Sequence, residues 1–298
     1  MPSPLLAYLD RIARAQLQAP GLPRVDFTEP AGEPALAPPD SVSWQVFRNP
    51  VSLLVGGIAA VILELAEPRV RTGIWDHTSF RSDPVTRLRR TGLAAMVTVY
   101  GARSTAERMI AGVRRMHERV SGETPSGAHY RASDPELLRW VQATAAFGFM
   151  EAYRAYVRPL SLADQDRFYA EGVPASHLYG ATGVPTSADE LRRLFAAMLP
   201  FLEPSAIIFE FLEIMNRAPI LPSPLRPLQR LLVRAAIEVT PEPVRTILGL
   251  DHRGLRLGEA AILSALARAA DRVFLESAPA VQACIRLNLP AEYLYRRP

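Results

Sequence analysis

The sequence contains no lysine; all 34 of its basic residues are arginine. That absence removes Schiff-base catalysis, pyridoxal-phosphate anchoring and the phosphate-loop lysine together. There is one cysteine, Cys284, so an internal disulfide cannot form and a cysteine-rich zinc site is excluded. The five histidines, His77, His117, His129, His177 and His252, include no i, i+4 pair, and no HExxH occurs. A Gly-x-Ser-x-Gly elbow, a dinucleotide glycine fingerprint and a phosphate loop are also missing. Long apolar runs are scarce. The longest, Val51 to Ala66, is interrupted by Glu64, fenced by Pro50 and Pro68, and spans 16 residues. That is short of the ~20 needed to cross a bilayer, so it reads as a buried core helix. Residues 1–18 lack the uninterrupted apolar stretch of a signal peptide, because Asp10, Arg11 and Arg14 fall inside their hydrophobic pattern. The expected location is the cytoplasm, with no integral membrane segment.

What is present is the composition of a folded protein: 298 residues, 49% hydrophobic and 21% charged. The net charge of +4 is mildly basic, but the arginines are scattered and sit beside acids, as on an ordinary solvated surface. No concentrated arginine patch with interleaved aromatics points to nucleic acid. Proline is abundant, at 27 residues, and clusters between periodic apolar segments. Pro20 to Pro39 reads as an extended linker, which divides the chain into an N-terminal helix and Pro-rich linker (1–40) and a helical body (41–298). Ser187 followed by Glu190 is a capping box ahead of Leu191, Leu194 and Phe195. No alternating strand set and no internal repeat stand out. The expected fold is all-α, about ten helices in a single domain.

Three segments carry informative polar residues. Over 105–121, Ala106, Met109, Ile110, Val113, Met116 and Val120 recur at helical spacing, and His117 falls on the same face. A histidine there is either a core residue with both nitrogens hydrogen-bonded or a ligand. Over 85–100, Arg87, Thr91, Ala94 and Thr98 form a narrow stripe beside a face of small residues. Either that stripe lines a pocket for an oxygen-bearing ligand, or Arg87 reaches solvent with its stem buried. Over 134–156, Gln142 lies on the apolar face of Leu138, Val141, Ala145 and Phe149 and needs partners if buried.

The order of these pieces resembles the bacterial and fungal oxygenase family that contains latex clearing protein and the MpaB oxygenases. The matching stretches are GIWDHTSFRSDPVTRLRRT (73–91), VRRMHERVSG (113–122), YRASDPELLRWVQAT (130–144) and TPEPVRTILGL (240–250), within a resemblance running from Asn49 to Leu250. Characterised relatives are helical haem b proteins. The resemblance implies that His117, three residues after Arg114, is the proximal iron ligand. It also implies that Arg87 and Thr91 lie on the distal side and act on dioxygen or a peroxide derived from it. Haem gives an imidazole on an apolar stripe a purpose, and arginines suit its propionates. The implied activity is oxygenase chemistry on a small or medium apolar organic substrate. The chain departs from the rubber-cleaving relatives in having Arg90 where they place a lysine, and Arg71 where they place a glutamate base. Glu67 and Asp76 are the nearby acids, and the base stays unassigned. The alternative is a haem-free helical ligand- or partner-binding protein that keeps the fold.

Overall fold

The structure is a computed structural model that describes residues 4–221 and 223–296. The helices are α1 (Pro4–Leu17), α2 (Val42–Val46), α3 (Pro50–Ala66), α4 (Pro68–His77), α5 (Pro84–Tyr100), α6 (Arg103–His117), α7 (Pro135–Tyr156), α8 (Leu162–Tyr179), α9 (Ala188–Met198), α10 (Ala206–Arg217), α11 (Arg226–Val239), α12 (Glu242–Leu248), α13 (Glu259–Asp271) and α14 (Pro279–Arg286). Between α6 and α7 a hairpin pairs β1 (Ser121–Glu123) with β2 (His129–Arg131), the one sheet among the described residues. The all-α expectation holds. The helices beyond the expected ten are short, such as α2 and α12, which offer too few turns to show a periodicity.

The prolines mark helix starts. Pro50, Pro68, Pro84 and Pro135 occupy the first turns of α3, α4, α5 and α7, where a missing N–H costs nothing. The residue before each supplies a cap: Asn49, Glu67, Asp83 and Asp134 accept backbone N–H groups through their side chains. The Ser187 cap forms as expected. Its reciprocal bond is shifted by one residue, since Glu190 accepts from the N–H of Thr186 at 2.7 Å.

At the centre α3 lies along α7 at very close range. A Cβ on Gly148 would stand 2.3 Å from the Gly56 carbonyl oxygen, and one on Gly56 would stand 2.6 Å from that of Gly148. Only glycine lets these two backbones meet. Ile58, Ile62, Leu63 and Leu65 from α3 and Trp140, Met150 and Tyr153 from α7 fill the core around that contact. α11 and α13 pack on the same pair, whereas α5 and α6 pack on each other and α6 on α8.

Residues 20–39 have no helix, as expected of a linker, but they form a strap packed on the body. Phe27, Ala35 and Ala37 are buried. Arg286 on α14, itself buried, donates from Nη1 to the Phe27 carbonyl at 2.8 Å and from Nε to the Glu33 carbonyl at 2.9 Å. The Glu33 carboxylate in turn accepts from the N–H (2.5 Å) and hydroxyl (3.0 Å) of Ser104 at the start of α6. Among the described residues no single helix is long and apolar enough to cross a membrane.

Candidate active site

α5 and α6 make little backbone approach to the α3–α7 pair, and three deep polar side chains from these helices are linked through the charge of Arg87. Glu64 comes from α3, Arg87 from α5 and His117 from α6. Each is strongly desolvated by surrounding protein, yet each keeps some accessible surface. Each is thus deep in the protein yet still reached by solvent from the space beside it.

The charges in that space are coupled. Burial raises the Glu64 carboxyl to about 7, and the positive charge of Arg87 restrains the rise. Burial lowers the Arg87 guanidinium, and the Glu64 charge opposes that fall. No ion pair or hydrogen bond joins the two among the described residues, so they interact across a gap. The Arg87 guanidinium carbon sits 5.1 Å from the Phe80 ring centroid, which fixes one face of the cation against an aromatic wall. Arg87 therefore points inward instead of sending its head group to solvent. Burial, and then the Arg87 charge, lower the His117 imidazole below its ordinary value. At neutral pH the ring is uncharged, with a lone pair available. Its Nδ1 is buried with no hydrogen-bond partner, so His117 is not a core histidine satisfied by its neighbours.

The remaining expected residues are placed less centrally. Thr91 is exposed, and its hydroxyl donates to the Arg87 carbonyl one turn back at 3.0 Å. Thr98, one further step along the stripe, donates to the Ala94 carbonyl at 2.8 Å and lies 3.1 Å from the Tyr179 hydroxyl of α8. Because the Thr98 proton is used, Tyr179 is the donor in that contact. Arg114 is exposed and runs beside Gly180, at the end of α8. Met116 is 58% exposed, because the apolar stripe of α6 ends one turn before the helix does. Gln142 is 3.4 Å from the hydroxyl of Ser176. Arg90 turns away from the space, donating to the Gly21 carbonyl at 3.2 and 3.3 Å.

The sequence reading passed over Glu64 except as a break in an apolar run. That break was itself the signal, since a carboxyl in the middle of a core helix must face something that tolerates it. The acids weighed instead are accounted for otherwise. Glu67 caps α4 and holds Arg69 at 2.6 Å, and Asp76 is exposed. Arg71 is buried but donates to the Leu65 and Glu203 carbonyls at 3.1 and 3.2 Å, a role in joining chain segments.

A separate apolar cleft of about 680 Å³ lies between α7, α9 and α12, lined by Phe147, Leu191, Phe195, Val239 and Val244. It includes none of Glu64, Arg87 or His117. Two of its acids are engaged locally, Glu151 with Arg154 and Glu238 with Arg245. The titratable chemistry lies elsewhere, so that cleft is not the candidate site.

A haem requires one axial imidazole, a flat apolar enclosure and cations for its carboxylates. The residues here fit the first and last of those demands: an imidazole with a buried, unpartnered nitrogen, and arginines on α5 and α6. No curated protein and no solved structure matches the chain at a significant level. Residues 44–272 match the family described as ER-bound oxygenase mpaB/B'/rubber oxygenase, catalytic domain. That stretch begins in α2, ends just beyond α13 and contains every residue of the interior space. The chain therefore belongs to this oxygenase family, and its helical body is the family's catalytic domain.

Proposed function

We propose that the chain is a haem b-dependent oxygenase that acts with dioxygen, or a peroxide derived from it, on a small or medium apolar organic substrate. The observation that carries this reading is the buried, unpartnered ring nitrogen of His117, with the charge of Arg87 acting on both His117 and Glu64 without an ion pair. A bound haem supplies the activation of dioxygen that oxygenase chemistry needs.

The chain's own residues then divide the work. His117 would hold the iron through a ring nitrogen, which its lowered proton affinity keeps free of a proton. Arg87 donates N–H groups into the space, and those bonds strengthen as negative charge develops on the reacting oxygen. The guanidinium is already held against Phe80, so little reorganisation is needed when the charge appears. Glu64, poised to gain or lose a proton near neutrality, would pass one from its carboxyl oxygen to the substrate's reacting oxygen, or take one from it. Thr91 commits its proton to the Arg87 carbonyl and so offers only lone pairs. Its part is to steady the turn that carries Arg87. Arg114 supplies a positive charge on the α6 side for a propionate.

The test is direct. Purified protein is titrated with hemin and followed by porphyrin absorption, alongside His117→Ala. One haem per chain with a His-ligated spectrum, lost in the variant, supports the reading. Stoichiometry near zero in the native chain sinks it.

A further inference from the structure

α13 is amphipathic in an unusual sense, because its outward face is apolar. Leu263 and Ala267 point inward, where α13 meets α3, α7 and α11. On the outside Ile262 is 56% and Leu266 39% exposed, one turn apart, with Ala261, Ala265 and Ala269 exposed beside them. Just ahead of the helix Leu257 is 106% exposed, a leucine standing entirely free of the protein. Single exposed leucines are ordinary. A contiguous strip along a 13-residue helix, about 20 Å long, is not.

Charge around this strip is predominantly positive. Arg253, Arg256, Arg268 and Arg272 are exposed at its margins, and none takes part in an ion pair among the described residues. Two of the nearby acids are used elsewhere, whereas Asp251 and the exposed Glu276 are in no ion pair among the described residues. Glu259 accepts from Arg234 at 2.9 and 2.5 Å, and Asp271 holds Arg48 at 2.5 Å. Asp251, at the far end, accepts from Thr246 at 3.1 Å. Arg253 also lies over the ring of Phe209, 5.0 Å from its centroid, which adds an exposed aromatic to the patch.

We propose that the outer face of α13, with Leu257 leading, docks the protein on an anionic lipid surface, burying its leucine and isoleucine side chains at the headgroup boundary while the arginines engage lipid phosphates and carboxylates. An apolar strip bordered by arginines outside ion pairs, of which Arg268 donates from Nε to the Val157 carbonyl at 3.3 Å and Arg256 and Arg272 are the freer two, is what such a surface selects. Charge argues against a second copy of this chain as the occupant, since two identical arginine margins would face each other. The inference does not depend on the haem reading.

Flotation of the full chain with vesicles tests it, using phosphatidylcholine alone and phosphatidylcholine with about one-third phosphatidylserine. Expected is binding to the anionic vesicles that weakens in high salt, with little binding to the neutral ones. Arg256→Ala and Arg272→Ala should each weaken it about fivefold. Leu257→Glu combined with Ile262→Glu should abolish it. Both positions are exposed, so the melting curve of the double variant should match the native one. Equal binding by native and double-variant protein overturns the proposal. So does failure to bind anionic vesicles, or a concentration-dependent dimer in place of vesicle binding.

Discussion

Glu64 and Arg87 feel each other's charge across an interior space without forming an ion pair. An ordinary buried pair would close to contact and neutralise itself. Held apart, each keeps its capacity to act on whatever enters between them. Arg87→Ala should therefore push the Glu64 carboxyl above its present value of about 7, because the one charge restraining it is removed. Carboxyl infrared bands followed through a pH titration read this directly.

In the haem-loaded protein the same Arg87→Ala change should leave the porphyrin bound while slowing the oxygen-dependent step. Loss of one preorganised donor costs about 100- to 1,000-fold in rate. Absorbance gives haem content, and oxygen uptake with substrate gives the rate. Loss of haem together with rate would mean that Arg87 only holds the cofactor.

Stability should depend on pH through Glu64. Its folded value of about 7 lies above the unfolded 4.5. The folded state thus keeps a proton that the unfolded chain has released. The contribution is fully present below pH 4.5 and is lost as pH rises through 7, at up to about 1.4 kcal/mol per pH unit. His117, whose value is lowered, works the other way, contributing stability above the unfolded 6.5 that is lost as pH falls. The difference between native protein and Glu64→Gln isolates the carboxyl. The variant should gain in relative melting temperature as pH rises from 5 to 8.

His117→Ala should remove most of the haem while leaving the apoprotein at least as stable as the native one. The lost ring carries a buried nitrogen with no partner, a feature that costs about 1–3 kcal/mol in a folded protein. Comparing apoprotein melts with hemin titrations separates the two effects. A large drop in apoprotein stability would show that the ring is a packing element.

Gly148→Ala should be among the most damaging single methyl additions in the chain. Its Cβ would meet the Gly56 carbonyl at 2.3 Å, so α3 and α7 must separate along the line that sets the core. A cost of at least about 1–3 kcal/mol follows from overpacking, read as a lower melting temperature. Gly92→Ala is the control on α5, since nothing stands within 4 Å of its added carbon.

The helices and their starts were legible because prolines and caps act over four or five residues. Asn49-Pro50, Asp83-Pro84 and Asp134-Pro135 each bring a side-chain acceptor to a helix that lacks its first donor. His117 and Arg87 were legible as polar residues on apolar or small-residue faces. Two things were not. Periodicity within one helix cannot say that Glu64, on α3, faces Arg87, 23 residues on, because that is a property of how α3 and α5 are arranged in space. Nor could it show that residues 20–39 are held down, because the holding group, Arg286, lies some 250 residues away and reads from sequence as one more surface cation.

That distant hold sets an order of events during synthesis. The start of α6, the helix that ends in His117, is tied through Ser104 to Glu33, and the strap containing Glu33 is tied to Arg286. A nascent chain that has emerged as far as α13 already holds Glu64, Arg87 and His117 but still lacks the residue that fastens its own beginning. The strap can therefore be fastened only after α14 has left the ribosome.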